Sequence, residues 1–223
     1  MADEVRTAAR EDRVRCGPAI TLANRGGYQM SGTTPVEVLE AEHRVIQRVV
    51  AGMAVLIERL DGGQDMDVAL LENIVEFLRT FADRRHHGKE ESFLFPALIH
   101  RGVPSHGCPI GGLTMEHQKG RVMVGELADA IRGYAAGEPS SRENLIRSLR
   151  ALVAFYPNHI WKEDYLLFPL AGKVLTLEDQ QDLMHKFDTV DRDLGLDVHE
   201  GFDKVEAELE RTVSGIDAPL KEG

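Results

Sequence analysis

The chain has 223 residues, 43% apolar and 28% charged, the balance of a globular protein with enough apolar residues for a sizeable core. Its 26 basic and 37 acidic residues give a net charge of −11, which argues against nucleic acid or an anionic membrane as a partner. The polar N-terminus does not read as a signal peptide, Val49 to Ile57 is too short to span a bilayer, and two cysteines cannot form a disulfide framework, so a reduced, cytoplasmic setting is expected.

Residues 1–33 carry glycines, prolines and no sustained period, and read as an irregular arm in which Cys16 is a bystander thiol. From Pro35 the pattern turns helical. Leu39, His43, Ile46, Val50 and Ile57 share a face, predicting a helix over 35–60 that stops at Asp61-Gly62-Gly63. A second helix, 66–99, carries Val75, Leu78, Ala82, His86, Glu90, Leu94 and Ala97 on one stripe, and Pro96 bends or ends it. A loop from Arg101 to Gly112 follows, with His106 and Cys108 read as structural. The third helix, 113–136, has Leu113, His117, Val124, Leu127 and Ile131 in phase. The fourth, 141–171, has Leu149, Leu152, His159, Glu163, Leu166 and Leu170, with Pro157 expected to kink it just before His159. Thr176 to Asp179 resembles a helix start. Leu183, Phe187, Val190 and Leu194 then share a face, and Val198, Phe202, Val205 and Leu209 do so later. No stretch shows the alternation of a strand. The expected fold is all-α: an up-and-down four-helix bundle over 34–172, and a helical extension over 173–223 that packs on it or forms a dimer contact.

The two halves of the bundle repeat. Glu42-His43 matches Glu116-His117 at an offset of 74, and His86-x3-Glu90 with Phe95-Pro96 matches His159-x3-Glu163 with Phe168-Pro169 at an offset of 73. Residues four apart on an α-helix are rotated by only about 40°, so each His–Glu pair points one way, onto the apolar stripe. His43 and His117 lie on the stripes of their own helices. Four imidazoles and two carboxylates in an apolar core are costly unless a pair of cations holds them together. The alternatives, a satisfied core histidine or an ordinary helical His–Glu pair, account for any one of these residues but not for six in phase and repeated. The ligand set read from the repeat is therefore His43, His86, Glu90, His117, His159 and Glu163. His87 shares its face with Glu76, Thr80, Asp83 and Glu91, so His87 and Glu91 are read as a solvated or outer pair. His100, His185 and His199 fall off the stripes. Asp61 to Glu72 fails as a calcium loop, since Met66 stands where glycine is needed.

These residues together resemble the hemerythrin-like, or HHE cation-binding, proteins over roughly residues 35–172. The resemblance implies a four-helix bundle holding two iron ions with an oxo or hydroxo bridge, although His and Glu also accept manganese or zinc. Members of the family include oxygen carriers and sensors, nitric oxide and peroxide handlers, and iron sensors. The oxygen-carrying members have a further ligand histidine four residues after the one matched by His117; here that position is Arg121. Their fourth-helix carboxylate lies five residues after the histidine, whereas Glu163 lies four after His159, leaving Asp164 outside the set. The implied set of four His and two Glu is nearly symmetric and leaves a position open on each iron, which favours reaction with small oxidants over reversible carriage. The expected ligand is O2, NO or H2O2 in sensing, storage or stress protection. The alternatives are a diiron enzyme (peroxidase or catalase-like, nitric oxide reductase, or oxidase) and an iron-responsive interaction module. Tyr156 is a weaker candidate, as a hydrogen-bond donor over the site or as bundle packing. Glu42 and Glu116 are outer-sphere partners or exposed charges, and Arg121 pairs with one of them or lines an entrance. Trp161, Phe93, Phe95 and Phe168 are read as core and helix-end packing.

Overall fold

A computed structural model describes residues 33–195 and Ala207. The features assigned to 1–32, including Cys16, and those assigned to 198–209, including His199, lie outside the described residues apart from Ala207. Helix α1 spans Pro35–Asp61. Thr34 and Glu37 close a capping box at its start, and Pro35 sits at the first turn, where its missing N–H is not needed. Helix α2 runs unbroken over 68–100 from an Asp67 cap, but its winding changes. Val68–Phe77 is α-helical, Leu78–His87 and Glu90–Leu94 are π-helical, and Phe95–His100 returns to α. Helix α3 is Ile110–Ala135. Helix α4 covers 141–174, with a π-helical turn at Glu163–Leu167 between Ser141–Lys162 and Phe168–Val174. Helix α5, Leu177–Leu194, starts from a capping box of Thr176 and Asp179. The chain is thus an all-α bundle, with no strand among the described residues.

Two of the π turns have a local cause. Pro96 and Pro169 have no N–H to give to the preceding turn. Just before each, the wider turn closes from the N–H of Phe95 to the carbonyl of Glu90, and from the N–H of Phe168 to that of Glu163. Each turn carries one extra residue and shifts the buried face by one position. Leu98 is buried rather than Ala97, and Leu167 and Ala171 rather than Leu166 and Leu170. At Pro157 the α-helix continues, and the departure from α geometry comes at Glu163 instead.

The core is divided. One apolar cluster includes Ile46, Ala82, Val124 and Ile160; the other includes Leu39, Leu94, Leu113 and Leu167. All four bundle helices pass from one cluster to the other through a buried polar layer of His43, His86, His87, Glu90, His117, His159 and Glu163. Helix α5 packs on the bundle, placing Leu183 and Phe187 in the second cluster. No helix among the described residues is long and apolar enough to cross a membrane. Cys108 is not a free thiol.

Candidate metal centre

The polar layer contains two groups of candidate donors. His43, His86, Glu90 and Glu163 form one, and His87, His117 and His159 the other; within each group the donor atoms lie within 4.8 Å of one another. All six residues picked from the repeat are therefore in these groups, and His87 joins them.

His87 is a correction. It was expected on the polar side, yet it is only 3% exposed, and its ring stacks on that of His117 at a centroid distance of 3.8 Å. The cause is the π-helical stretch Leu78–His87. With more than four residues per turn, a face extrapolated from α geometry drifts out of phase, and His87 turns inward. The sequence held a signal for this. At the repeat offset, His87 matches Ile160, a buried residue of the first apolar cluster. Glu91 does not pair with His87 either, and accepts instead from His117.

Every one of the five histidines has its Nδ1 against a carboxylate. His43 Nδ1 lies 2.7 Å from Asp164, His117 Nδ1 2.7 Å from Glu91, His86 Nδ1 3.0 Å from Glu42 and His159 Nδ1 3.1 Å from Glu116. His87 Nδ1 lies 3.4 Å from Asp83. A carboxylate can only accept, so in the neutral imidazole each Nδ1 carries the proton and Nε2 keeps its lone pair. The repeat extends to these partners, since Glu42 matches Glu116 and Glu91 matches Asp164. Glu42 is buried, and Lys89 and Arg85 neutralise it at 2.6 Å and 3.5 Å. Glu116 is held in the same way by Lys162. Arg121 pairs with Asp83 and Glu91, not with Glu42 or Glu116. Phe168 stacks on His43 and Phe95 on His117, so these two rings pack against the site itself. Trp161 leaves the core expected for it and is 51% exposed, stacked on Tyr165.

The inner atoms are left without partners. Among the described residues, His43 Nε2, His86 Nε2, His159 Nε2, both oxygens of Glu90 and Oε2 of Glu163 are buried with no hydrogen bond. Each such atom costs about 1–3 kcal/mol. Glu163 Oε2 lies 3.1 Å from His43 Nε2, while its Oε1 lies 3.2 Å from His117 Nε2 and 3.3 Å from His159 Nε2. Glu90 Oε2 lies 3.4 Å from His117 Nε2 and 3.9 Å from His86 Nε2. Both carboxylates thus stand between the two histidine groups. Lone pairs facing lone pairs at these distances repel unless a cation or a proton sits among them, so the residues fit metal ions.

Electrostatics agree. Burial, and then the Glu163 charge, push the Glu90 carboxyl well above the usual range. Burial acts on Glu163 in the same direction, but His159, His117 and His43 hold it well below. Burial favours neutral His43, yet Asp164 and Glu163 raise it to about 9; burial and the nearby His43 lower His86 to about 4.

A cavity of about 280 Å³ opens beside this layer, bounded by His87, Arg121 and Tyr156 among others. Burial, and then the Asp83 charge, raise the Tyr156 phenol, which stays protonated and packs in the first apolar cluster.

The family model for the hemerythrin HHE cation-binding domain matches residues 34–171. The chain belongs to that family. Among curated proteins it is similar to "Uncharacterized protein Mb2018" of Mycobacterium bovis and "Uncharacterized protein Rv1995" of Mycobacterium tuberculosis, each 26% identical over 155 residues. The matched region is 70% of this chain and spans 60% of the length of those relatives. No solved structure matches the chain.

Proposed function

We propose that the chain holds two iron ions. His43 and His86 would hold one, His87, His117 and His159 would hold the other, and Glu90 and Glu163, which stand between the two histidine groups, would serve both. The observation that carries this reading is the set of buried, unpartnered Nε2 and carboxylate atoms, turned toward one another by outer carboxylates that hold each Nδ1. Manganese or zinc suits the same donors; iron is favoured by the family. When bound, an iron pair supplies redox-active positions for a small ligand such as O2, NO or H2O2.

His87 changes the symmetry. With five histidines the two positions are unequal, three nitrogens against two. The more open position then lies at His43 and His86, not equally on both metals. The protein's own residues orient the donors, keep both carboxylates away from water and keep Tyr156 protonated near the site. The function that fits best is binding of a small diatomic or peroxide ligand in sensing, storage or stress protection. A diiron enzyme is the second reading, supported by a cavity beside His87 and Tyr156 larger than a diatomic needs. Titration of the reduced, iron-loaded protein with O2, NO and H2O2 tests this. A stable, reversible adduct supports binding, multiple turnovers support the enzyme, and no reaction with any of them rules out both.

A further inference from the structure

The repeat that matches Glu42 with Glu116 also matches the lysines that hold them, Lys89 and Lys162. The two lysines differ in cover. Lys162 is 32% exposed, whereas Lys89 is fully buried. Helix α5 stands over Lys89. Leu183, Phe187 and Asp191, spaced by four, share one face of that helix. Leu183 and Phe187 enter the second apolar cluster. The Phe187 ring lies 5.5 Å from Lys89 Nζ, and Asp191 pairs with the same Nζ at 2.8 Å. Asp191 also accepts from Arg85, from Nε at 2.7 Å and Nη2 at 3.1 Å. The position matching Arg85 in the other half is Asn158.

A chain of charge-assisted contacts thus runs from α5 to a candidate donor. Asp191 holds Lys89 and Arg85, these lie 2.6 Å and 3.5 Å from Glu42, and Glu42 accepts from His86 Nδ1 at 3.0 Å. With α5 docked, two cations face two carboxylates and the group is balanced. With α5 away, Lys89 and Arg85 face Glu42 alone. The surplus positive charge then lies next to His86, in a buried layer where it opposes a metal cation strongly. It also draws on the carboxylate that orients the His86 ring.

We propose that α5 is a metal-responsive latch: Asp191 and Lys89 are positioning residues for the metal position at His43 and His86, and occupation of that position and docking of α5 favour each other. The proposal rests on the two-metal reading above. The coupling is electrostatic and moves neither a proton nor an electron. It is one-sided, because the matching lysine of the other half stays partly exposed without such a cover.

Hydrogen exchange of the full-length protein, metal-loaded and chelated, tests this when read helix by helix. Chelation is expected to raise exchange in α5 about tenfold more than in α1 to α4, within the usual range of coupling between sites. In Asp191→Asn, α5 is expected to exchange at the same raised rate in both states, while α1 to α4 keep their response to metal. One of the two metal ions should then bind about tenfold more weakly in competition with a chelator, since linkage is reciprocal. Asp191→Glu, which keeps the charge, is expected to restore both effects in part. An α5 response in the unmodified protein no larger than that of α1 to α4 overturns the proposal and leaves the two-metal reading intact; this comparison needs no variant. An unaltered α5 response in Asp191→Asn overturns it in the same way. Fewer than two metal ions per unmodified chain overturns that reading and the proposal with it.

Discussion

Each buried histidine meets the centre with one ring nitrogen already engaged. The outer carboxylates Asp164, Glu91, Glu42 and Glu116 fix tautomer and ring orientation, so much of the ordering entropy of binding is met during folding. Removing one should therefore weaken metal binding without removing a donor. Glu42→Ala and Glu116→Ala are each expected to lower metal affinity about 10–100-fold, measured by competition with a chelator. Glu163→Gln should be more severe, because its two oxygens face both histidine groups; loss of both metals is the expected outcome, read as metal per chain. The grouping of the six repeat-derived residues in one buried layer was legible in the sequence because helical phase and repetition selected them together. Their Nδ1 partners were not, since each pairing crosses between helices and period alone carries no information about it.

At the scale of the element, helix spans were legible to within a few residues, because apolar periodicity and Pro, Gly and Thr punctuation act locally. The phase was not. The π-helical stretches bring His87 inward and exchange Leu166 for Leu167, and no rule of 3.6 residues per turn anticipates them. Prolines six residues after Glu90 and Glu163 were the available sign of the two shorter π turns. Helix α5 is tied to the centre by Asp191, which holds Arg85 at 2.7 Å and the fully buried Lys89 at 2.8 Å, and both of these neutralise Glu42. Phe187→Ala should cost about 3–5 kcal/mol in denaturant unfolding, as a buried aromatic ring lost from the second cluster.

The start of α5 also sets a pH dependence. Asp179 is held well below its ordinary 3.8, first by Arg101, against the opposing effect of burial, and then by Thr176. A depressed carboxyl stabilises the fold fully above its unfolded pKa and loses that contribution as pH falls through the folded one. Asp179→Asn should therefore destabilise the fold near neutrality, and the gap from the parent protein should close only well below pH 3.8. Unfolding midpoints across a pH series check this; a gap already closed at pH 5 would contradict it.

For the molecule as a whole, the polar layer is where the fold stores its unmet interactions. Two apolar clusters stabilise the bundle on either side, so the metal-free chain can remain folded, but metal should add substantially to its stability. Free metal at one hundred times Kd adds about 2.7 kcal/mol, so chelation should lower Tm and resupply restore it. In His86→Ala that rise should be smaller or absent. The family and the four-helix layout were legible because they rest on the repeated motif. The inequality of the two histidine groups, two imidazoles against three, emerged only from the folded chain.

The most direct test is metal content per chain, with the near-ultraviolet and visible spectrum of protein purified in air. The account predicts about two irons per chain, absorption from a bridged pair, and loss of both in His86→Ala with Glu90→Ala. One metal or none, unchanged by those substitutions, would contradict it and leave a bundle with buried histidines and no metal centre.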